Sequence, residues 1–148
     1  MKQLLTFALS AAVVLTMGAC KGGKGTSNSK PREKIVETPK TNAEMSVEGN
    51  SYYFKDLTPK SKPVKQTYVI VNTGTDPLVI NQVEFHCDCL EATFTKHPIQ
   101  PGEKGEVTLK LDVSKVGTGE VRRIVNVHSN AKNSPFPLEL WAEVYEKD

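Results

Sequence analysis

The sequence predicts an all-β fold, and three observations carry the prediction. Clusters of Gly, Pro, Asn and Ser recur roughly every eight to twelve residues between Val47 and Glu146. The segments between them alternate apolar and polar side chains or are rich in β-branched residues, as strands with one buried face require. No segment carries a convincing helical period of apolar positions. About seven short strands in roughly 100 residues match an immunoglobulin-like sandwich. That length is enough for one compact domain and too little for two.

In chain order, the first strand is expected at 51–54. The run Thr67-Tyr68-Val69-Ile70-Val71 is apolar nearly throughout and reads as a central strand covered on both faces. Asn72-Thr73-Gly74-Thr75-Asp76-Pro77 is a turn, in which Gly supplies positive φ and Pro opens the next strand where no ladder donor is needed. Strands follow at 78–85 and 92–95, then a longer loop with a Pro-Gly turn, Pro98-Ile99-Gln100-Pro101-Gly102-Glu103-Lys104-Gly105. The clearest alternation is Val107-Thr108-Leu109-Lys110-Leu111-Asp112. Val121, Val125 and Val127 share a face of the next strand, which Ser129-Asn130 ends. Pro135 and Pro137 lead into the last strand, where Leu138, Leu140, Ala142 and Val144 lie opposite Glu139, Trp141, Glu143 and Tyr145.

The N-terminus is of another kind. Lys2, an uncharged apolar stretch over 4–17, then Gly18-Ala19-Cys20 resemble the signal peptide of a bacterial lipoprotein. The stretch is too short for a comfortable bilayer span of about 20 residues. The resemblance implies cleavage before Cys20, a diacylglycerol thioether on its sulfur and further acylation by palmitate-like chains. Each buried methylene of those chains contributes about 0.8 kcal/mol to attachment. Met17 stands where such signals usually carry Leu, a minor departure for an unbranched apolar side chain. Lys21 follows the cysteine where an Asp would favour inner-membrane retention, so the periplasmic side of the outer membrane is expected. The expected organisation is a signal at 1–19, lipidated Cys20 and a flexible tether over 20–46, and the sandwich over 47–148. Residues 21–46 hold few apolar side chains, so they are read as unable to bury a core.

Composition excludes a class of partners. Removing 1–19 takes away Lys2, one of 19 basic residues, and none of the 17 acidic ones, leaving 18 against 17. A mature charge near +1 makes no electrostatic case for nucleic acid. There is no G-x-S-x-G elbow, phosphate-binding Gly-rich loop or paired catalytic carboxylate motif. No motif calls for a cofactor.

The series Asn72-Thr73-Gly74, Pro77-Leu78-Val79-Ile80, Cys87-Asp88-Cys89, Pro98-Ile99, Pro101-Gly102-Glu103-Lys104-Gly105 and Ser129-Asn130 resembles an uncharacterised family of bacterial exported Ig-like domains. Its pattern runs N-T-G, P-L-x-I, S-C-G-C-T, P-I-x-P-G-E-x-G, S-N. The resemblance spans roughly residues 51–144 and implies a seven-stranded sandwich akin to other adaptor sandwiches. It implies no reaction.

The chain departs from that pattern at His86-Cys87-Asp88-Cys89-Leu90, where three chemistries compete. A Cys87–Cys89 disulfide suits an oxidising compartment and needs a bend, because residues two apart on a flat strand sit near the upper Cα limit of about 6.8 Å. Two thiolates with His86, His97 or His128 would suit copper(I) or zinc, although the spacing is not that of a zinc knuckle. A redox-active dithiol needs a lowered thiol pKa, for which His86 is a weak aid and Asp88 an opponent. His97 and His128 read as solvated and sheet-surface residues, and Trp141 as a ring half-covered by a loop. Arg122 and Arg123, being adjacent, point to opposite faces and form no single anion clamp. The expected function is a lipid-anchored, non-catalytic binding or adaptor module that meets an envelope protein. The alternative is a metal-handling lipoprotein that uses Cys87 and Cys89.

Overall fold

The computed structural model describes residues 39–146. The signal segment, Cys20 and the tether up to residue 38 lie outside the described residues. Among the described residues the chain is β almost throughout: β1 (Met45–Val47), β2 (Ser51–Leu57), β3 (Val64–Asn72), β4 (Ile80–Glu84), β5 (Leu90–Phe94), β6 (Lys104–Leu111), β7 (Gly119–Ser129) and β8 (Phe136–Val144), with one 3-10 turn at Val113–Lys115. They form two four-stranded sheets, ordered β1-β3-β6-β5 and β2-β8-β7-β4. The predicted sandwich is present, with eight strands where about seven were expected.

The additional strand lies where a tether was expected. Met45 and Ala43 are buried, and β1 pairs antiparallel with β3. Two apolar side chains in a polar segment suffice here because β3 and the Asn133 side chain supply the partners that the segment lacks. The Asn133 carboxamide accepts from the Met45 N–H (3.0 Å) and donates to the Met45 carbonyl (2.7 Å). The sandwich therefore begins upstream of Val47. The predicted strand at 78–85 is shorter, Ile80–Glu84, and Leu78 instead forms an isolated bridge with Ile99.

Alternation decides which face is buried. Val107, Leu109 and Leu111 of β6 lie in the core, as do Val125 and Val127 of β7 and Leu138 and Leu140 of β8. Each large apolar side chain so buried contributes about 1.5–3 kcal/mol. The expectation that β3 is covered on both faces is corrected. Tyr68 and Ile70 are buried, but Val69 is 36% exposed, because among the described residues no third layer lies on the outer face of its sheet. β-branched residues there satisfy strand geometry rather than burial. Tyr68 also joins the layers: its hydroxyl donates to the Glu139 carbonyl of β8 at 2.6 Å.

One end of the sandwich is tied by carboxamides. Asn72, fully buried, donates through Nδ2 to the carbonyls of Asp76 (2.8 Å) and Ile99 (2.9 Å), and its Oδ1 accepts from the Gly74 N–H (3.0 Å). Gly74 does not adopt the positive φ expected of it; the turn admits only glycine because a Cβ there would collide with the backbone of residues 42–44. Asn130 repeats the device, accepting from the Val79 N–H (2.8 Å) and donating to the Pro77 carbonyl (2.9 Å).

Two outcomes are expected. Asn72→Ala leaves the Asp76 carbonyl without its donor and the Gly74 N–H without its acceptor, while the Ile99 carbonyl keeps the Leu78 N–H, and it lowers unfolding free energy by about 1–3 kcal/mol in urea titrations. Burial, and secondarily the nearby Glu139 charge, pushes the Tyr68 phenol up to about 12 from 10.0. The folded state holds that proton more tightly, so this stabilisation is present below pH 10 and is lost as pH rises from 10 to 12. Tyr68→Phe should flatten that part of the stability–pH curve.

Candidate functional site

The chain changes sheets between β4 and β5, and the change occupies residues 85–89. A strand leaving one sheet for the other must turn within a few residues, and Cys87-Asp88-Cys89 makes that turn. The two sulfurs are at disulfide distance, and the Cα atoms are 5.2 Å apart. That spacing is shorter than the roughly 6.8 Å of an extended pair, as the bend requires. The corner is pinned from the segment after β6. The Asp112 N–H donates to the Cys89 carbonyl (2.8 Å), and Lys115 Nζ donates to the Asp88 carbonyl (3.2 Å). Asp112 also caps the 3-10 turn by accepting from the Ser114 hydroxyl (2.7 Å) and the Ser114 N–H (3.2 Å). The hydroxyl bond is the main cause that holds the Asp112 carboxyl below its ordinary range.

The two cysteines are unequal. Cys89 is 2% exposed and belongs to the core, whereas Cys87 is half-buried at its margin. Arg123 of β7 reaches across the sandwich and places Nε 3.4 Å from Cys89 Sγ, while Nη1 donates to the Arg122 carbonyl (3.0 Å). Among the described residues no carboxylate forms an ion pair with Arg123, in contrast to Arg122, which Glu139 holds at 2.6 Å. Adjacent arginines do point to opposite faces, as predicted, but Arg123 points at the cysteines. A signal for this was present in the sequence. Arg123 falls on the inward parity of Val121 and Val125, where a charge is out of place unless something polar meets it.

The histidines do not converge on the cysteines. His86 is exposed, with Nε2 3.6 Å from Glu84 Oε1, and His128 meets Glu84 Oε2 at 2.9 Å on the outer face of its sheet. His97 is exposed on its loop. With each sulfur bonded to the other, neither is a thiolate ligand, and no group of three or more His, Cys, Asp or Glu side chains is placed to hold a metal among the described residues. Of the three residues of the metal alternative, Cys87 and Cys89 lie at disulfide distance from each other and His86 faces Glu84. Trp141 is half-covered: the Arg122 guanidinium lies 5.1 Å from its ring centre, and its Nε1–H donates to Glu139 Oε2 (3.1 Å). Arg122 first, and Trp141 second, hold the Glu139 carboxyl below its ordinary range.

The edges of the two sheets differ. β1 is capped by Asn133, β2 breaks register between Phe54 and Leu57 with Asp56 at φ 58°, and β4 breaks register between Ile80 and Gln82. Such devices close an edge to further pairing. β5 runs in unbroken register with β6 over its five residues. The bonds Asp112 N–H to Cys89 carbonyl and Thr95 N–H to Glu106 carbonyl set the phase of that ladder, so the main-chain groups of Leu90, Ala92 and Phe94 aim away from β6. A shallow cleft lined by Thr93, Phe94, Thr95, Glu106 and Thr108 lies on the sheet face over the β5–β6 pair, and Lys96 Nζ sits 3.5 Å from the Phe94 ring centre.

Opening the Cys87–Cys89 bridge by reduction should cost under about 2 kcal/mol, since it closes a loop of only two residues' separation, and a Cys87→Ser, Cys89→Ser double variant should lose more because it places a hydroxyl at the buried position 89. The unreduced protein should weigh two hydrogens less than the dithiol by intact-mass measurement, and the double variant should show no such difference.

Comparison with solved structures places the chain among Ig-like and PapD-like sandwiches. A protein of unknown function from Porphyromonas gingivalis W83 superposes with a TM-score of 0.57 at 20% identity, over 73% of this chain and 50% of that one. The chain thus spans about half the length of that protein. PapD-like domain 7 of human CEP192 gives 0.51 at 12% identity, over 82% and 98%. The CsuC-CsuE chaperone–tip adhesion subunit pre-assembly complex of Acinetobacter baumannii gives 0.50 at 16% identity, over 69% and 57%. At these identities the likeness is one of fold. No curated protein matches the chain. Residues 45–144 match the family described as "Protein of unknown function (DUF1573)", and the chain belongs to that family.

Proposed function

We propose that this chain is a non-catalytic binding module, lipid-anchored through Cys20 on the periplasmic side of the outer membrane, that takes an extended segment of an envelope protein along β5. The observation that carries the reading is the asymmetry of the edges: three bear a cap or a register break, and β5 bears neither. An incoming strand would satisfy the outward main-chain groups of Leu90, Ala92 and Phe94, and the cleft beside Thr93 and Thr95 would receive alternate side chains. Strand addition of this kind needs no reacting group. PapD-like folds supply an analogy, since one neighbour is a chaperone caught with an adhesion subunit. The lipoprotein-like N-terminus supplies the compartment. A tether of about 20 residues, ending where Ala43 and β1 join the sandwich, would keep the domain within about 2.5 nm of the membrane on average.

Three results test the reading. Palmitate label should enter the wild-type chain and be lost in Cys20→Ala, with release of the protein from the envelope fraction. A photo-crosslinker at Thr93 should capture an envelope protein, and one at Ser46 beside the capped edge should not. Ala92→Pro removes the outward donor at a position where an edge strand tolerates proline, so it should abolish the Thr93 crosslink with little change in stability. Equal crosslinking from both edges, or an Ala92→Pro chain that crosslinks as before, would refute docking at β5. Failure of Cys20 acylation would refute the anchor alone.

A further inference from the structure

The pairing of an uncompensated guanidinium with a buried sulfur points beyond strand addition. A half-buried arginine ordinarily faces a carboxylate or a set of carbonyls. Arg123 gives one donor to the Arg122 carbonyl and directs Nε–H at Cys89 Sγ, an atom that is neutral and a weak acceptor while the disulfide is intact. The same sulfur becomes a strong acceptor when it carries the negative charge of a thiolate. The placement of Arg123 is therefore better matched to the opened bridge than to the closed one.

We propose that the Cys87–Cys89 disulfide is a thiol-exchange site opened from the Cys87 side, with Cys89 as the leaving sulfur and Arg123 as the positioning cation. An external thiolate attacks Cys87 Sγ, the half-buried atom at the margin. A bond forms between the incoming sulfur and Cys87 Sγ, the Cys87–Cys89 bond breaks, and its electron pair goes to Cys89 Sγ beside Arg123 Nε–H. The product is a mixed disulfide at Cys87 and a thiolate at Cys89. A second external thiol completes reduction by attacking the mixed disulfide, leaving Cys87 as a thiol and the two external sulfurs joined. Without it, Cys89 re-closes the bridge and expels the first thiolate. Exchange favours the better-stabilised leaving thiolate and the more accessible sulfur, and both criteria select the same direction here. Attack in the reverse sense would have to reach Cys89, which is 2% exposed. The inference is independent of the anchor and of docking at β5.

The test uses the full oxidised chain with reduced glutathione as the thiol. Samples are quenched with an alkylating agent before reduction is complete, and peptides are mapped by mass. Glutathione on Cys87 and the alkyl group on Cys89 is the expected pattern. Glutathione chiefly on Cys89, an even split, or no opening at all overturns the proposal. Arg123→Gln should slow opening about tenfold, the equivalent of one charge-assisted hydrogen bond. Arg123→Lys should retain most of the rate. In the reduced chain, the ultraviolet absorbance of the thiolate should disappear at a lower pH in wild type than in Arg123→Gln. If Arg123→Gln opens at the wild-type rate, Arg123 has only a packing role and the proposal fails. If that variant does not fold, the labelling pattern of the wild-type chain decides by itself.

Discussion

The buried carboxamide of Asn72 is the interaction on which the rest of this sandwich depends. A β-sandwich satisfies its main chain within each sheet, but the loops that join the sheets leave carbonyls and N–H groups with no ladder partner, and burying them unpaired is costly. Asn72 lies at the end of β3, and its one side chain serves two such groups in the turn after it and adds a second donor to the Ile99 carbonyl, which Leu78 also bonds. Asn130 and Asn133 do the same for the entry to β4 and for β1. An amide that both donates and accepts can substitute for a strand neighbour, which neither Asp nor Ser can do in full. The N-terminal segment, poor in apolar residues, is held in the fold through this device.

The two ends of the sandwich are consequently built from different chemistry. The end that holds Asn72, Asn130 and Asn133 is closed chiefly by carboxamide hydrogen bonds, with the Asp76 carboxylate accepting from the Asn42 N–H. The opposite end, where β3 and β7 begin and β6 finishes, is closed by the cysteine corner, Arg123 and the loop around Asp112. Carboxamides offer nothing that titrates or reacts. The cysteine corner brings together a sulfur pair, a guanidinium and an ammonium, so any chemistry this domain carries belongs at that end. It also abuts the start of β5, the edge without a cap.

Much of the fold was legible because strand alternation is a local property. The inward sets Val107, Leu109, Leu111 and Leu138, Leu140, Ala142, Val144 followed from parity alone, and the core contains them. Parity could not reveal β1, since a three-residue strand with one buried Met has no periodicity, and its partner Asn133 lies 88 residues away. Nor could it show whether a β-branched run such as Thr67-Tyr68-Val69-Ile70-Val71 is covered on one face or two. That depends on how many layers the chain builds.

The family-like segments are explained mainly as architecture. Asn72-Thr73-Gly74 and Ser129-Asn130 carry the amide ties, and Gly105 leaves room for the Ile99 side chain. The sequence by itself determined the all-β class, the alternating core and the cysteine pair, because each is written in spacing over a few residues. Only the tertiary structure decided which arginine meets the cysteines, which edge is left open and where the sandwich begins. Those are contacts between segments far apart in the chain, and one sequence holds no record of which distant residues come to lie side by side.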